Sequence, residues 1–146
     1  MKSKKRNTFR SAVYLFIIRD NKLLLLRRKN TGWKDGEYGL PAGHLETGET
    51  VKEAASREAK EEATIEINPK DLQLVHVMHR KANFEYIDLY FSTDKWAGEA
   101  AIGEKDLADD IGWFPTDSLP ANTIDYMREA FENYQKGVLF SEFGWN

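Results

Sequence analysis

Three glutamates, Glu58, Glu61 and Glu62, crowd into one stretch that reads as an α-helix. Thr50 followed by Glu53 matches the capping box, in which each side chain satisfies a free backbone donor of the other residue. The helix is therefore predicted to begin at Val51 and to run to about Ala63. With Glu58 as origin on a 3.6-residue wheel, Glu62 falls at roughly +40° and Glu61 at roughly −60°, and Val51, Ala54 and Ala55 fall within about 60° of the same direction. Lys52, Glu53, Ser56 and Lys60 take the opposite, solvated side. A Glu-rich helix is more commonly a soluble surface with i,i+4 pairs, but here the phase argues otherwise. Carboxylates aimed where the apolar residues aim lose water and repel one another, so they take up protons or acquire a cation. Hard oxygen ligands suit Mg²⁺ or Mn²⁺, and Mg²⁺ commonly combines few carboxylates with substrate phosphates. Metal-assisted chemistry on a diphosphate is the expectation.

The charge distribution marks the same window. Between Gly43 and Ile67 seven Glu face only Lys52, Arg57 and Lys60, while the formal net charge of the whole chain is −3. That balance argues against a general nucleic-acid binder. No cysteine is present, which removes disulfides, thiolate metal sites and cysteine nucleophiles. The basic opening Lys2, Lys4, Lys5, Arg6 is not followed by a signal-type apolar stretch, and no apolar run approaches the ~20 residues of a membrane span, so a cytoplasmic location is expected. At 146 residues, with no repeat or Pro/Gly/Ser-rich linker, one domain over 1–146 is expected.

The elements that must position the helix follow from local pattern. Arg10 to Ile18 and Leu23 to Leu26, joined at Asp20-Asn21, suggest a hairpin of core strands. Lys29 to Gly43 is dense in Gly, Asn, Asp and Pro, so a shaped loop precedes the helix. Thr64, Ile65 and Ile67 restore strand character, and further strands are predicted at Leu72 to His79, Phe84 to Ser92 and Ile111 to Phe114. Ile124, Met127, Phe131 and Tyr134 fall at helical spacing, with Gly137 where a C-terminal cap belongs. The fold class is α/β, a mixed sheet layered between helices. The closing Phe140, Phe143, Gly144 and Trp145 are too aromatic for a free tail and should dock on the domain or on a second subunit.

Gly43-His44-Leu45-Glu46-Thr47-Gly48-Glu49, followed by Arg57-Glu58-Ala59-Lys60-Glu61-Glu62-Ala63-Thr64-Ile65, resembles the box of the Nudix hydrolases, and Leu40-Pro41-Ala42-Gly43 resembles the run that leads into it. Both long spacings and every charged position agree. Ala59 is a small version of an aliphatic residue, and Thr64 replaces the final glycine, which puts the turn after Ala63 in question. The resemblance implies a Nudix-type α/β/α sandwich in which Glu58, Glu61, Glu62 and the Gly43 carbonyl hold Mg²⁺, or Mn²⁺ as a substitute. It implies that Arg57 and Glu49 form a supporting pair; as residues alone they read as a surface ion pair. Glu58, or Glu104 in a later loop resembling that of the MutT-type branch, would accept a proton from the attacking water.

Asn122, in Leu119-Pro120-Ala121-Asn122, resembles the base-contacting asparagine of MutT-type enzymes, although an Asn just before a helix reads more readily as its N-cap. Arg27 and Arg28 could meet a phosphate or face solvent. Trp33 and Tyr38 read as packing beneath the loop, and His76 and His79 as half-buried or surface histidines. The implied activity is conversion of a nucleoside triphosphate, oxidised or non-standard among the options, to the monophosphate and pyrophosphate. A non-catalytic nucleotide sensor and an RNA 5′-pyrophosphohydrolase are the alternatives. The implied partner is a small nucleotide, with nucleic acid and membrane disfavoured and the protein a monomer or homodimer.

Overall fold

The apolar run near the N-terminus forms the centre of the sheet. The computed structural model describes residues 4–146, so Lys2 of the basic opening lies outside it. Strand β1 (Arg10–Arg19) turns into β2 (Lys22–Arg28) through Asp20 and Asn21, whose φ of 52° and 60° make the two-residue turn that matches strand twist. There follow β3 (Tyr38–Gly39), β4 (Ala42–His44), helix α1 (Val51–Ala63), a 3₁₀ turn at Pro69–Asp71, β5 (Gln73–Lys81), β6 (Glu85–Thr93), β7 (Ala108–Pro115), helix α2 (Asp125–Gln135) and β8 (Phe140–Phe143). The sheet order is β3-β2-β1-β6-β5-β8, with β4 added to β1 and β7 to β2. The pairs β1–β6 and β5–β8 are parallel and the others antiparallel, so the sheet is mixed as expected.

Alternation along β1 divides the core into two layers. Ala12, Tyr14 and Phe16 pack on the face covered by α2, together with Ile124, Met127 and Phe131. Val13, Leu15 and Ile17 pack on the opposite face with Ala54, Ala55, Ala59 and Ala63 of α1. Four alanines let α1 lie close to the sheet, and the period-two strand pattern meets a helix on each side. Among the described residues no helix is long and apolar enough to cross a membrane.

Several expectations need correction. Ile65 and Ile67 are buried but form no strand; Glu66 makes only an isolated bridge to Ala97. The strand expected at Ile111 begins at Ala108, because its partner β2 continues to Arg28. His76 is fully enclosed, with Nδ1 2.8 Å from the Val138 carbonyl and Nε2 2.8 Å from the Ser141 hydroxyl. These contacts belong to the docked tail: β8 adds to β5 as a parallel strand, and Trp145 Nε1 donates to the His79 carbonyl at 3.1 Å. The aromatic ending therefore lies on its own domain.

The helix start matches its sequence signature, with Glu53 N–H donating to the Thr50 hydroxyl at 3.1 Å and Thr50 N–H donating to the Glu53 carboxylate at 2.9 Å. Thr50→Ala should lower stability by about 1 kcal/mol in urea unfolding. An unchanged midpoint would show that the cap contributes nothing to holding α1.

Candidate active site

Backbone and helix meet where β4 passes α1. A Cβ at Gly43 would collide with the carboxylate of Glu58, so any side chain here would push that carboxylate aside. One residue earlier, the Ala42 N–H donates to Glu62 Oε1 at 3.1 Å. Arg57 clamps the loop between them to the helix. It donates to both oxygens of Glu49 (3.1 and 2.7 Å), to the His44 carbonyl (3.1 Å), to Glu58 Oε1 (2.8 Å) and to Glu61 Oε2 (3.3 Å). The hydrogen bond with Arg57 holds the Glu49 carboxyl below its usual range, and the Arg57 guanidinium is raised chiefly by Glu49. A forked contact of this kind is geometrically specific and differs from an isolated surface pair.

The wheel's prediction holds for two of the three carboxylates. Glu58 is 8% exposed, and burial raises its carboxyl against the opposing pull of Arg57. The Glu62 residue is half-buried, yet its carboxyl turns toward the Ala42 amide, and burial pushes it up to about 8; the Ala42 N–H opposes the rise, and Glu58 and Glu104 add to it. Glu61 differs. Its side chain is 48% exposed and leans on Arg57, because its position falls at the edge of the inward face.

The end of α1 carries the second part of the site. Thr64 takes the left-handed conformation (φ 59°) that glycine would adopt more easily, and its hydroxyl donates to the Glu99 carbonyl at 3.0 Å. The turn questioned on sequence grounds is thus made by threonine. Ala101 N–H donates to the Ala63 carbonyl (3.0 Å), Gly103 N–H donates to the Glu62 carbonyl (2.8 Å), and a Cβ at Gly103 would strike the Glu61 backbone oxygen. This seam places Glu104 on the wall of a cavity of about 320 Å³ with Glu62, Arg28, Leu26, Leu40 and Met127. A second cavity, of about 390 Å³, shares Arg28 and Met127 with the first and runs past Gly43 and His44.

The remaining sequence candidates separate. Arg28 borders both cavities, and its Nε–H donates to the Trp33 carbonyl at 2.8 Å. Arg27 borders the first cavity but is paired with Asp109 at 2.7 Å. Asn122 borders neither; its amide donates to the Gly36 carbonyl at 2.8 Å and ties the loop to the start of α2. It is also not the cap, since Ile124 occupies that position without a side-chain cap bond. Tyr38 packs as expected and donates to Asp110, whereas Trp33 stands 42% exposed on the second cavity instead of packing beneath the loop. Sequence reasoning missed Arg80 and Asp88, which form an enclosed pair beside this cavity. The available signal was strand phase, since Arg80 shares a face with Met78, and Asp88 with Tyr90.

The NUDIX domain family matches residues 8–134. The chain belongs to the Nudix family. It is 36% identical over 132 residues to the ADP-ribose pyrophosphatase of Methanocaldococcus jannaschii, covering 84% of this chain and 76% of the relative. The NAD-capped RNA hydrolase NudC of Stutzerimonas stutzeri is 26% identical over 110 residues; there the match covers 75% of this chain and only 38% of the relative. Among solved structures, the MutT NUDIX hydrolase of Burkholderia pseudomallei superposes with a TM-score of 0.78 at 28% identity, over 86% of this chain and 98% of that one. The Nudix protein is a hydrolase of pyrophosphate-containing substrates.

Nudix hydrolases generally use a divalent metal, and these residues fit one. The donors are all oxygen, and the carboxyl of half-buried Glu62 is enclosed with two other carboxylates raising it, the state that a bound cation relieves. Among the described residues no three acidic or imidazole groups close into a ligand cluster; Glu58 and Glu61 are turned to Arg57, and Glu62 to the Ala42 amide.

The Gly103 seam yields a test independent of any ligand assignment. Gly103→Ala should displace the Glu104 loop and lower kcat about tenfold or more, as small misplacements at an active site do. Unchanged kcat, measured on a diphosphate substrate, would show that this close approach does not position the site.

Proposed function

We propose that the Nudix protein cleaves the diphosphate linkage of a nucleotide that carries an organic group on each side of that linkage. The observation that carries this reading is the pair of cavities flanking the carboxylates. The first has apolar walls at Leu26, Leu40, Leu107, Ala108 and Met127, and one of its two arginines is already paired with Asp109. Such walls suit a sugar or other organic group better than the bare terminal phosphates of a triphosphate. The archaeal relative is named for ADP-ribose, in which a diphosphate joins adenosine to a second ribose.

In this reading Glu58, Glu61, Glu62 and the Gly43 carbonyl hold Mg²⁺, for which Mn²⁺ can substitute. When bound, the metal neutralises phosphate charge and acidifies a water. Arg28 faces the diphosphate from the position it shares between the two cavities. Glu104, whose carboxylate makes no ion pair among the described residues, accepts the proton as the water oxygen bonds to phosphorus; Glu58, tied to Arg57, is the other candidate acceptor. The bridging oxygen leaves with the electron pair of the broken P–O bond. Arg57 and Glu49 are positioning residues that hold the loop and the helix carboxylates in register.

A second reading, conversion of a nucleoside triphosphate to monophosphate and pyrophosphate, draws on Arg27 and Arg28 lying together on the first cavity. Phosphorus NMR of products from nucleotide sugars, ADP-ribose, dinucleoside diphosphates and nucleoside triphosphates separates the two. The two-sided substrates should give about tenfold higher kcat/KM, equivalent to roughly 1.4 kcal/mol of transition-state binding. A preference for triphosphates of that size would reverse the order, and no turnover of any diphosphate compound with Mg²⁺ would end both. Glu62→Gln should lower kcat about 100-fold or more, in the range found for removing one preorganised charge. Unchanged kcat would remove Glu62 from the site.

A further inference from the structure

The floor of the second cavity carries a charged pair that hydrolysis leaves unused. Arg80 on β5 and Asp88 on β6 are 7% and 0% exposed. Arg80 Nε–H donates to Asp88 Oδ2 at 2.6 Å, and Nη2 donates to Asp88 Oδ1 at 3.4 Å and to the Tyr14 hydroxyl at 3.3 Å. The guanidinium carbon lies 4.1 Å from the Tyr86 ring centroid and 4.0 Å from that of Tyr126. The Tyr14 hydroxyl donates to Asp88 Oδ1 at 3.0 Å, so the 3.2 Å contact between the Tyr14 and Tyr126 hydroxyls is donated by Tyr126. Burial opposes the Arg80 charge, and the Asp88 hydrogen bond together with the nearby Tyr14 and Tyr126 more than offsets it, so the guanidinium stays protonated.

A guanidinium has five N–H donors. Nε and Nη2 are engaged, whereas Nη1 makes no hydrogen bond among the described residues and is not sealed from solvent. Arg80 borders the second cavity, whose walls include Trp33, Phe84, Tyr86 and Tyr126. The guanidinium of Arg28 lies over the Trp33 ring at 4.9 Å, and that of Arg10 over the Phe84 ring at 3.4 Å. The cavity therefore combines aromatic walls, each ring with a guanidinium over one face, with one fixed, charged donor suited to an acceptor on the edge of a flat ligand. A single donor of this kind meets the O6 acceptor of guanine, whereas adenine sets an amino donor in place of O6.

We propose that Arg80 is a specificity-determining residue that reads the base edge in this cavity, and that the enzyme takes 6-oxopurine nucleotides ahead of adenine nucleotides. The inference rests on the two-sided reading of the site, with the nucleoside on the aromatic side.

Calorimetric titration of the full chain with GMP, IMP, AMP and 7-deaza-GMP, without metal, tests recognition apart from turnover. GMP, IMP and 7-deaza-GMP, which all keep O6, should bind about tenfold more tightly than AMP, the discrimination expected of one charged hydrogen bond. Arg80→Lys should reduce the GMP preference to about twofold or less, because lysine cannot keep the planar fork on Asp88. Trp33→Ala, on the exposed rim, should weaken all four ligands alike. Equal binding of GMP and AMP to the unmodified protein, or an undiminished preference in a folded Arg80→Lys variant, would overturn the proposal. If Arg80→Lys does not fold, the IMP and 7-deaza-GMP comparison on the unmodified protein decides. Failure to hydrolyse any diphosphate compound would instead overturn the proposed activity, and nucleotide binding would remain measurable.

Discussion

Holding carboxylates away from water beside a polypeptide backbone is the constraint on which the rest of this molecule turns. Glu58 and Glu62 lie against the Ala42–Gly43 backbone, Glu58 in the space that a side chain at residue 43 would take and Glu62 on the Ala42 N–H. An uncompensated carboxylate in that position costs several kcal/mol or becomes protonated. The surroundings supply partial compensation: the Arg57 fork on one flank and a single amide on the other. The remaining deficit is what makes the place suited to a cation, through which the opposing charge of a diphosphate would be met.

The sheet explains how such an arrangement stays in register. β1 pairs with β4 near its start, with β2 near its end, and with β6 along most of its length. It therefore sets the height of the Ala42–His44 segment over α1 while its two faces anchor the two helices through separate apolar layers. At the far end of α1, backbone bonds to Ala101 and Gly103 join the helix to the Glu104 loop. The site is thus framed at both ends by main-chain geometry, which tolerates little drift compared with long side chains.

The two cavities differ in chemistry because they open on different walls. One is faced by leucines and acidic groups, the other by aromatic rings over an enclosed Arg80–Asp88 pair. Arg28 stands on both, its guanidinium over Trp33. In the proposed reading, the two organic groups on either side of the diphosphate would each meet one of these walls.

Periodicity and capping in the chain alone determined α1, its first residue, the direction of Glu58 and Glu62, the β1–β2 hairpin and the α2 face, because each of these depends on neighbours within a few residues. The spacing of the box residues was equally local, and family membership followed from it. Only the tertiary structure decided that Asn122 binds the Gly36 carbonyl and that His76 is sealed by the returning tail. It alone brought Arg80 to Asp88 beside an aromatic cavity. These outcomes depend on contacts between residues far apart along the chain, and a local pattern carries no information about which distant surface will meet it.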